Sequence, residues 1–198
     1  MKTLVNVFHP QLAISRVNKR WTEALEGQSE ITINRLYECY PDWNIDVARE
    51  QALLLEHDRI VFQHPFWWYQ TPPLMKKWFD DVLTYGWAYG PGGIALQGKE
   101  WVSGISTGGP AESYQSGGYN NYSMSELLKP LQQTANLIRM KFLPPFILHG
   151  TVQIGEGEID ASAKSYIAHI TDPLLDPQQR LARLLSKMND EGQELKAG

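Results

Sequence analysis

Apolar residues along this chain fall into short solid runs, and between the runs they recur with a helical period. Leu4 to Phe8 has the length of a buried strand; His9-Pro10 stops it, and a loop continues to Ser15. Ser15 can cap a helix over Arg16 to Glu26 whose apolar face is Val17, Trp21, Ala24 and Leu25, and Gly27 closes that helix. Glu30 to Leu36 alternates through Ile31, Ile33 and Leu36, which predicts a second, less buried strand. Tyr37 to Asn44 reads as a loop, and Asp46 opens a helix over Val47 to His57 with Ala52, Leu53 and Leu55 inward.

Arg59 to Gln63 is the third predicted strand, and it runs into His64-Pro65-Phe66-Trp67-Trp68-Tyr69. Pro72-Pro73 suits the first turn of a helix over Leu74 to Leu83, since proline needs no hydrogen-bonded N–H there. Its inward residues are Leu74, Trp78, Val82 and Phe79. A glycine-rich stretch precedes a fourth strand, Lys99 to Ser106, which Thr107-Gly108-Gly109-Pro110 breaks. A helix starting at Ser123 or Ser125 runs to about Ile138 with an interruption at Lys129-Pro130. Met140 to Leu148 is a fifth strand interrupted by Pro144-Pro145, and Glu158 to Ile170 and Pro177 to Asn189 read as helices.

Five strands alternating with helices predict the α/β class, an open parallel sheet wrapped on both faces. No repeat or linker divides the chain, so one domain is expected over 1–198, with 151–198 a helical C-terminal extension. Such sheets bind ligands beyond the carboxyl ends of their strands, at the switch point of strand order. The loops after the first, third and fourth strands therefore converge: His9 to Asn18, His64 to Tyr69 and Ser106 to Tyr119.

Composition narrows the function classes. A net charge of -4 without a basic block argues against nucleic acid and anionic membrane as general partners. The same modest charge is weak for an acidic electron carrier steered by a single-sign field. The single cysteine, Cys39, allows no disulfide within the chain, and no stretch has the length of a membrane span, so a cytoplasmic protein is expected. Seven Trp and nine Tyr are what stand out.

Four of the aromatics, Phe66 to Tyr69, lie consecutively on a loop, where side chains alternate and about half face a site. Core or dimer-interface packing explains such a run equally well. The helix start at Ser15-Arg16-Val17-Asn18 offers free N–H groups and a favourable dipole for a single phosphate; a capped surface helix has the same pattern. Ser106-Thr107-Gly108-Gly109 permits close backbone approach of a planar ring, or is a plain turn. His9 and His64 both end strands on this side, and a lone histidine is more often a structural hydrogen-bonder. There is no G-x-G-x-x-G, Walker lysine, H-E-x-x-H, cysteine pair or G-x-S-x-G, so no metal site is expected. A phosphate grip, an aromatic wall and a glycine turn on three converging loops point to flavin mononucleotide.

His9-Pro10 with Ser15 to Asn18, Leu36-Tyr37 through Tyr40-Pro41-Asp42, Phe62 to Pro65 with Trp68-Tyr69, Pro73 to Lys76, Trp78-Phe79-Asp80, Gly86 to Gly90 and Thr107-Gly108-Gly109 together resemble the flavodoxin-like NAD(P)H:quinone oxidoreductase family. The likeness runs from about residue 3 to 150. It is nearest to the bacterial branch with the potassium-efflux ancillary flavoproteins and the general-stress NAD(P)H oxidoreductases. The resemblance implies strand order 2-1-3-4-5, FMN (or FAD) as cofactor, NAD(P)H as donor, a quinone-like acceptor, and a homodimer with a shared site. It implies that Ser15, Arg16, Val17 and Asn18 hold the flavin phosphate with His9 nearby. Phe66, Trp67, Trp68 and Tyr69 would border the flavin ring, and Ser106, Thr107, Gly108 and Gly109 its far edge. Ser106 stands where the family usually has threonine. Tyr114 matches by spacing a tyrosine that assists hydride transfer in the larger animal quinone reductases. The companion histidine position falls on Asn120, which cannot take a proton. The resemblance also admits regulation of a membrane potassium-efflux transporter, which would put the protein at the inner face of the membrane, and electron carriage without turnover.

Overall fold

The computed structural model describes residues 1–197, and side chains through residue 190. The strands are β1 (Thr3–Val7), β2 (Ile31–Arg35), β3 (Arg59–Pro65), β4 (Glu100–Ser106), β5 (Lys141–Phe142) and β6 (Phe146–Leu148). All pair in parallel, in the order β2-β1-β3-β4-β5, with β6 also on β4. This is the flavodoxin-like α/β architecture expected from the sequence.

Strand alternation sends side chains to two cores. Leu4, Ile60, Phe62, Trp101 and Ile105 face one side and meet Leu74, Trp78 and Val82 of α4 (Pro73–Val82). Val5, Val7, Val61 and Val102 face the other. There they meet α1 (Arg16–Leu25) and α7 (Glu156–Thr171), where Trp21 stacks on Tyr166 with centroids 4.6 Å apart and donates from Nε1 to Ser162 Oγ at 2.9 Å. Arg59, fully buried at the opposite end of the sheet from the three loops, pairs with Glu100 at 2.7 Å and donates to the carbonyls of Ile170 and Asp172. It thereby ties the end of α7 to the sheet.

Two local expectations need correction. The stretch from Tyr37 does not begin as loop: Leu36–Cys39 forms a single helical turn, α2, whose Tyr37 hydroxyl accepts the N–H of Leu74 at 3.2 Å and so caps α4. α3 (Val47–Glu56) turns Glu50 and Leu54 inward and leaves Ala52 and Leu55 exposed. Glu50 sets that face because its carboxylate accepts from Asn34, Tyr40 and Trp78 at 2.8–2.9 Å; an apolar count along the helix misses a polar inward anchor. The helix after Ser123 is interrupted where expected, into α5 (Met124–Leu127) and α6 (Lys129–Leu137), with Ser123 and Glu126 forming a capping box and Pro130 in the first turn of α6.

The fifth strand is interrupted at Pro144-Pro145 as expected, into β5 and β6. Phe142 pairs with Trp101 but Phe146 pairs with Gly104, so one extra residue is accommodated around Pro144-Pro145, which have no N–H to donate. The last helix, α8 (Pro177–Ala197), presents Leu181, Leu184, Leu185 and Met188 to solvent. No helix among the described residues is long and apolar enough to cross a membrane.

Gly104 on β4 faces Tyr166: a Cβ there would lie 2.8 Å from the Tyr166 ring. Gly104→Ala is expected to cost about 1–3 kcal/mol by overpacking. Urea unfolding measures it, and an unchanged midpoint would show that the Tyr166 ring has room to move.

Candidate flavin site

The carboxyl ends of β1, β3 and β4 open into two adjoining clefts. The first, of about 520 Å³, is lined by His9, Ser15 to Asn18, Pro65 to Trp68, Ser106 and Gly108. Thr151 and Val152, which follow β6, complete it. The second, of about 410 Å³, is lined by Phe66, Trp68, Tyr69, Gly109, Tyr114 and Asn120, among others. Phe66 and Trp68 belong to both, so the aromatic loop stands between them.

At the first cleft, Ser15 caps α1: its hydroxyl accepts the N–H of Asn18 at 3.1 Å. The amides of Arg16 and Val17 have no backbone partner among the described residues, leaving two N–H groups at the positive end of the helix dipole. Asn18 is buried, and its side chain is a strut, with Nδ2 donating to Ser106 Oγ at 2.9 Å. Gln63 donates to the Asn18 carbonyl at 3.0 Å and to Thr22 Oγ1 at 3.1 Å. The Arg16 guanidinium points toward the start of α7, pairing with Glu156 at 2.7 Å and donating to the carbonyl of Ile154 at 2.9 Å. What Arg16 presents to the cleft is therefore its backbone N–H.

His9 lines the same cleft, and its Nδ1 accepts the N–H of Gln11 at 3.2 Å, which places the proton of the neutral ring on Nε2. Burial lowers its pKa from the ordinary 6.5. Its ring meets Trp67 edge to face at 5.6 Å. His64 is not part of either cleft. It is fully buried, donates from Nδ1 to the Pro65 carbonyl at 2.9 Å, and has its pKa pushed down by burial to about 4.

Phe66 packs into the core, whereas Trp67, Trp68 and Tyr69 are exposed. Trp68 and Tyr69 have φ of 50° and 61°, between bridge partners Trp67 and Gln70. Positive φ at both central residues is the pattern of a type I′ turn, usually made by glycine or asparagine. Bulky residues there carry about 1–3 kcal/mol of strain each. The turn swings Trp68 outward, 91% exposed, so the strict alternation expected of an extended loop does not hold.

On the β4 side, Thr107 is buried and lines neither cleft; its hydroxyl donates to the Gly109 carbonyl at 3.0 Å. The amides of Gly108 and Gly109 have no backbone partner among the described residues. A Cβ on Gly109 would lie 3.0 Å from Ser113 Oγ and 3.3 Å from the Tyr114 ring, so a side chain there would push Ser113 and Tyr114 back by a few tenths of an ångström. Asn120 is engaged on both sides: its Nδ2 donates to Ser113 Oγ and its Oδ1 accepts from the Tyr69 hydroxyl, each at 3.0 Å. It therefore joins the loop after β4 to the aromatic loop.

Sequence reasoning missed Gln63, His149, Thr151 and Val152. Gln63 carried a signal, being the polar residue in an otherwise apolar strand; the other three follow β6, beyond the clear motifs. These residues fit a flavin mononucleotide: free amides at the start of α1 for a phosphate, free glycine amides for ring oxygens, and aromatic walls for a flat ring system.

A family model described as flavodoxin-like fold matches residues 1–170. The chain belongs to the flavodoxin-like fold family. It is 52% identical over 188 residues, 95% of each chain, to an uncharacterized NAD(P)H oxidoreductase, YdeQ, of Bacillus subtilis (strain 168). It is 41% identical over 169 residues to the glutathione-regulated potassium-efflux system ancillary protein KefF of Klebsiella aerogenes, covering 85% of this chain and 94% of KefF. Among solved structures, general stress protein 14 of Treponema denticola in complex with FMN superposes with a TM-score of 0.82 at 41% identity, covering 85% of this chain and 97% of that one. An NADPH-quinone reductase from P. pentosaceus superposes with a TM-score of 0.80 at 33% identity, covering 87% and 99%.

The depressed pKa of His64 has a consequence for stability. Between pH 6.5 and about 4 the unfolded chain binds a proton at this residue that the folded chain refuses, so stability falls as pH drops through that window. Urea midpoints measured from pH 7 to 4.5 should decline, and His64→Leu should decline less steeply. An identical slope in that variant would show that the imidazole titrates in the folded state as it does unfolded.

Proposed function

We propose that this chain is an FMN-dependent NAD(P)H oxidoreductase that reduces quinones or similar flat acceptors by two-electron, ping-pong hydride transfer. The observation that carries this reading is the convergence of free α1 amides, a Thr-Gly-Gly turn with free amides and an aromatic loop on two adjoining clefts. The FMN-bound structural relative and the oxidoreductase names of the relatives support it. When bound, the flavin supplies the hydride-accepting and hydride-donating chemistry. The amides of Arg16 and Val17, with Ser15 and Asn18 holding the helix start, take the phosphate. Gly108 and Gly109 direct their amides at ring oxygens. Trp67, Trp68 and Tyr69 border the ring and keep water from it, and Tyr114 donates to an acceptor oxygen in the second cleft. Asn120 holds the Tyr69 hydroxyl in place.

The site is completed by a second copy of the chain. Trp68 and Tyr119, 91% and 90% exposed at the cleft mouths, are the surfaces that a partner protomer would cover. A second reading, regulation of a potassium-efflux transporter, is favoured by the likeness to KefF. Co-purification with such a transporter would support it, and potassium efflux unaffected by deletion would remove it.

Purified protein should release FMN on heating, sediment as a dimer, and oxidise NADH or NADPH in the presence of a quinone. A flavin-loaded protein that oxidises neither sinks the proposal. Trp68→Ala should weaken flavin or acceptor binding about 3- to 10-fold, the equivalent of one lost aromatic stacking contact.

A further inference from the structure

The last helix, α8, lies outside everything the clefts use. The flavodoxin-like match ends at residue 170, and no residue lining either cleft comes later than Val152. The helix is tied down only at its root. There Asp176 Oδ1 accepts the N–H of Gln178 at 2.9 Å, and the Arg180 guanidinium is held by the Asp172 carboxylate and the Leu174 carbonyl. The Asp172 carbonyl also accepts from Arg59, which places this root at the end of the sheet opposite the clefts. From Pro177 to Asp190 every residue is exposed, so no part of the described chain covers the helix.

Leu181, Leu184, Leu185 and Met188 share one face of α8 and are 50–59% exposed. A solitary helix of this length is marginal in water, and most helical stability comes from packing such a face. The charges along the helix say what packs there. Arg183 and Lys187 precede Met188, whereas Asp190, Glu191 and Glu194 follow it. We propose that α8 pairs antiparallel with α8 of a second copy of this chain. Reversal sets the basic half of each helix beside the acidic half of the other, while a parallel pair sets like charge against like. Centred on Met188, the pair brings Leu181 of one copy level with Leu195 of the other, Lys187 near Asp190, and Arg183 near Glu194. The contact is self-complementary about a two-fold axis and closes on itself. An anionic membrane is the poorer occupant, because helices that lie on such surfaces are basic along their polar face and this one turns acidic over its second half.

This pairing does not rest on the oxidoreductase reading. Because α8 leaves from the far end of the sheet, it joins two bodies through a surface separate from the cleft mouths, where Trp68 and Tyr119 stand exposed. Both clefts stay open to their own ligands and to a protomer that covers them.

Spin labels on the full chain test the pairing, with Cys39→Ser removing the native thiol. Labels carried by Asn189→Cys, next to the centre, should lie within about 20 Å of each other, since paired helices sit roughly 10 Å apart. Labels carried by Gln178→Cys should lie on the order of 30 Å apart, twice their distance from Met188 at the helical rise. Short distances at both positions mean a parallel pair, and no distance at either means no pair; each overturns the proposal. Leu184→Glu with Leu185→Glu should abolish the Asn189 distance and halve the sedimenting mass. Near-ultraviolet circular dichroism should stay unchanged in that variant, since both side chains are exposed. A double variant with wild-type mass and distances overturns the proposal. So does wild-type protein that stays unpaired and instead cosediments with phosphatidylserine vesicles. Protein that binds no FMN or reduces no quinone fails the oxidoreductase reading alone, and the label distances still decide the pairing.

Discussion

The site depends on one buried hydrogen bond, from Asn18 Nδ2 on α1 to Ser106 Oγ at the end of β4. It joins groups 88 residues apart in sequence. Gln63, from β3 between them, donates to the Asn18 carbonyl, so all three loops are held at one spacing. These side chains are almost free of solvent, and leaving one of them unpaired would cost about 1–3 kcal/mol. The helix start and the Thr-Gly-Gly turn consequently face each other across a cleft of defined width.

The rest of the architecture presents this constraint at the carboxyl end of the sheet, between the two clefts' lining loops. Apolar packing on both faces holds the strands, and the polar residues of the strand centres are inside networks of their own, such as Asn34 with Glu50, Tyr40 and Trp78. Further ties reach the site from outside it. Arg16 joins α1 to the start of α7, and the Tyr37 hydroxyl caps α4 just after the aromatic loop. The aromatic loop spends conformational strain at Trp68 and Tyr69 to place large rings at the cleft mouth. Strain of that kind persists where surrounding contacts over-determine the geometry. Here the Tyr69 hydroxyl bond to Asn120 and the edge contact between Trp67 and His9 are those contacts.

The packing beside Tyr114 follows from the same topology. β6 pairs with the last residues of β4, so the residue after β6 arrives beside Thr107. A histidine there packs against the Tyr114 ring although it lies 35 positions later in the sequence. The asparagine at 120, bonded to Ser113 and to the Tyr69 hydroxyl, joins the loop after β4 to the aromatic loop.

By itself the sequence determined the parallel sheet, the Ser15 cap, the glycine turn and the convergence of three loops. Each is a local matter, written in alternation, caps and breakers among neighbouring residues. Tertiary structure alone decided the inward turn of Glu50, the bulge around Pro144-Pro145, the engagement of Arg16 by Glu156, and which of the two tryptophans is outermost. It also decided that Asn18 is a strut and that His149 belongs beside Tyr114. Those outcomes depend on strand register and on partners far away in the chain, and no periodicity within a single segment encodes either.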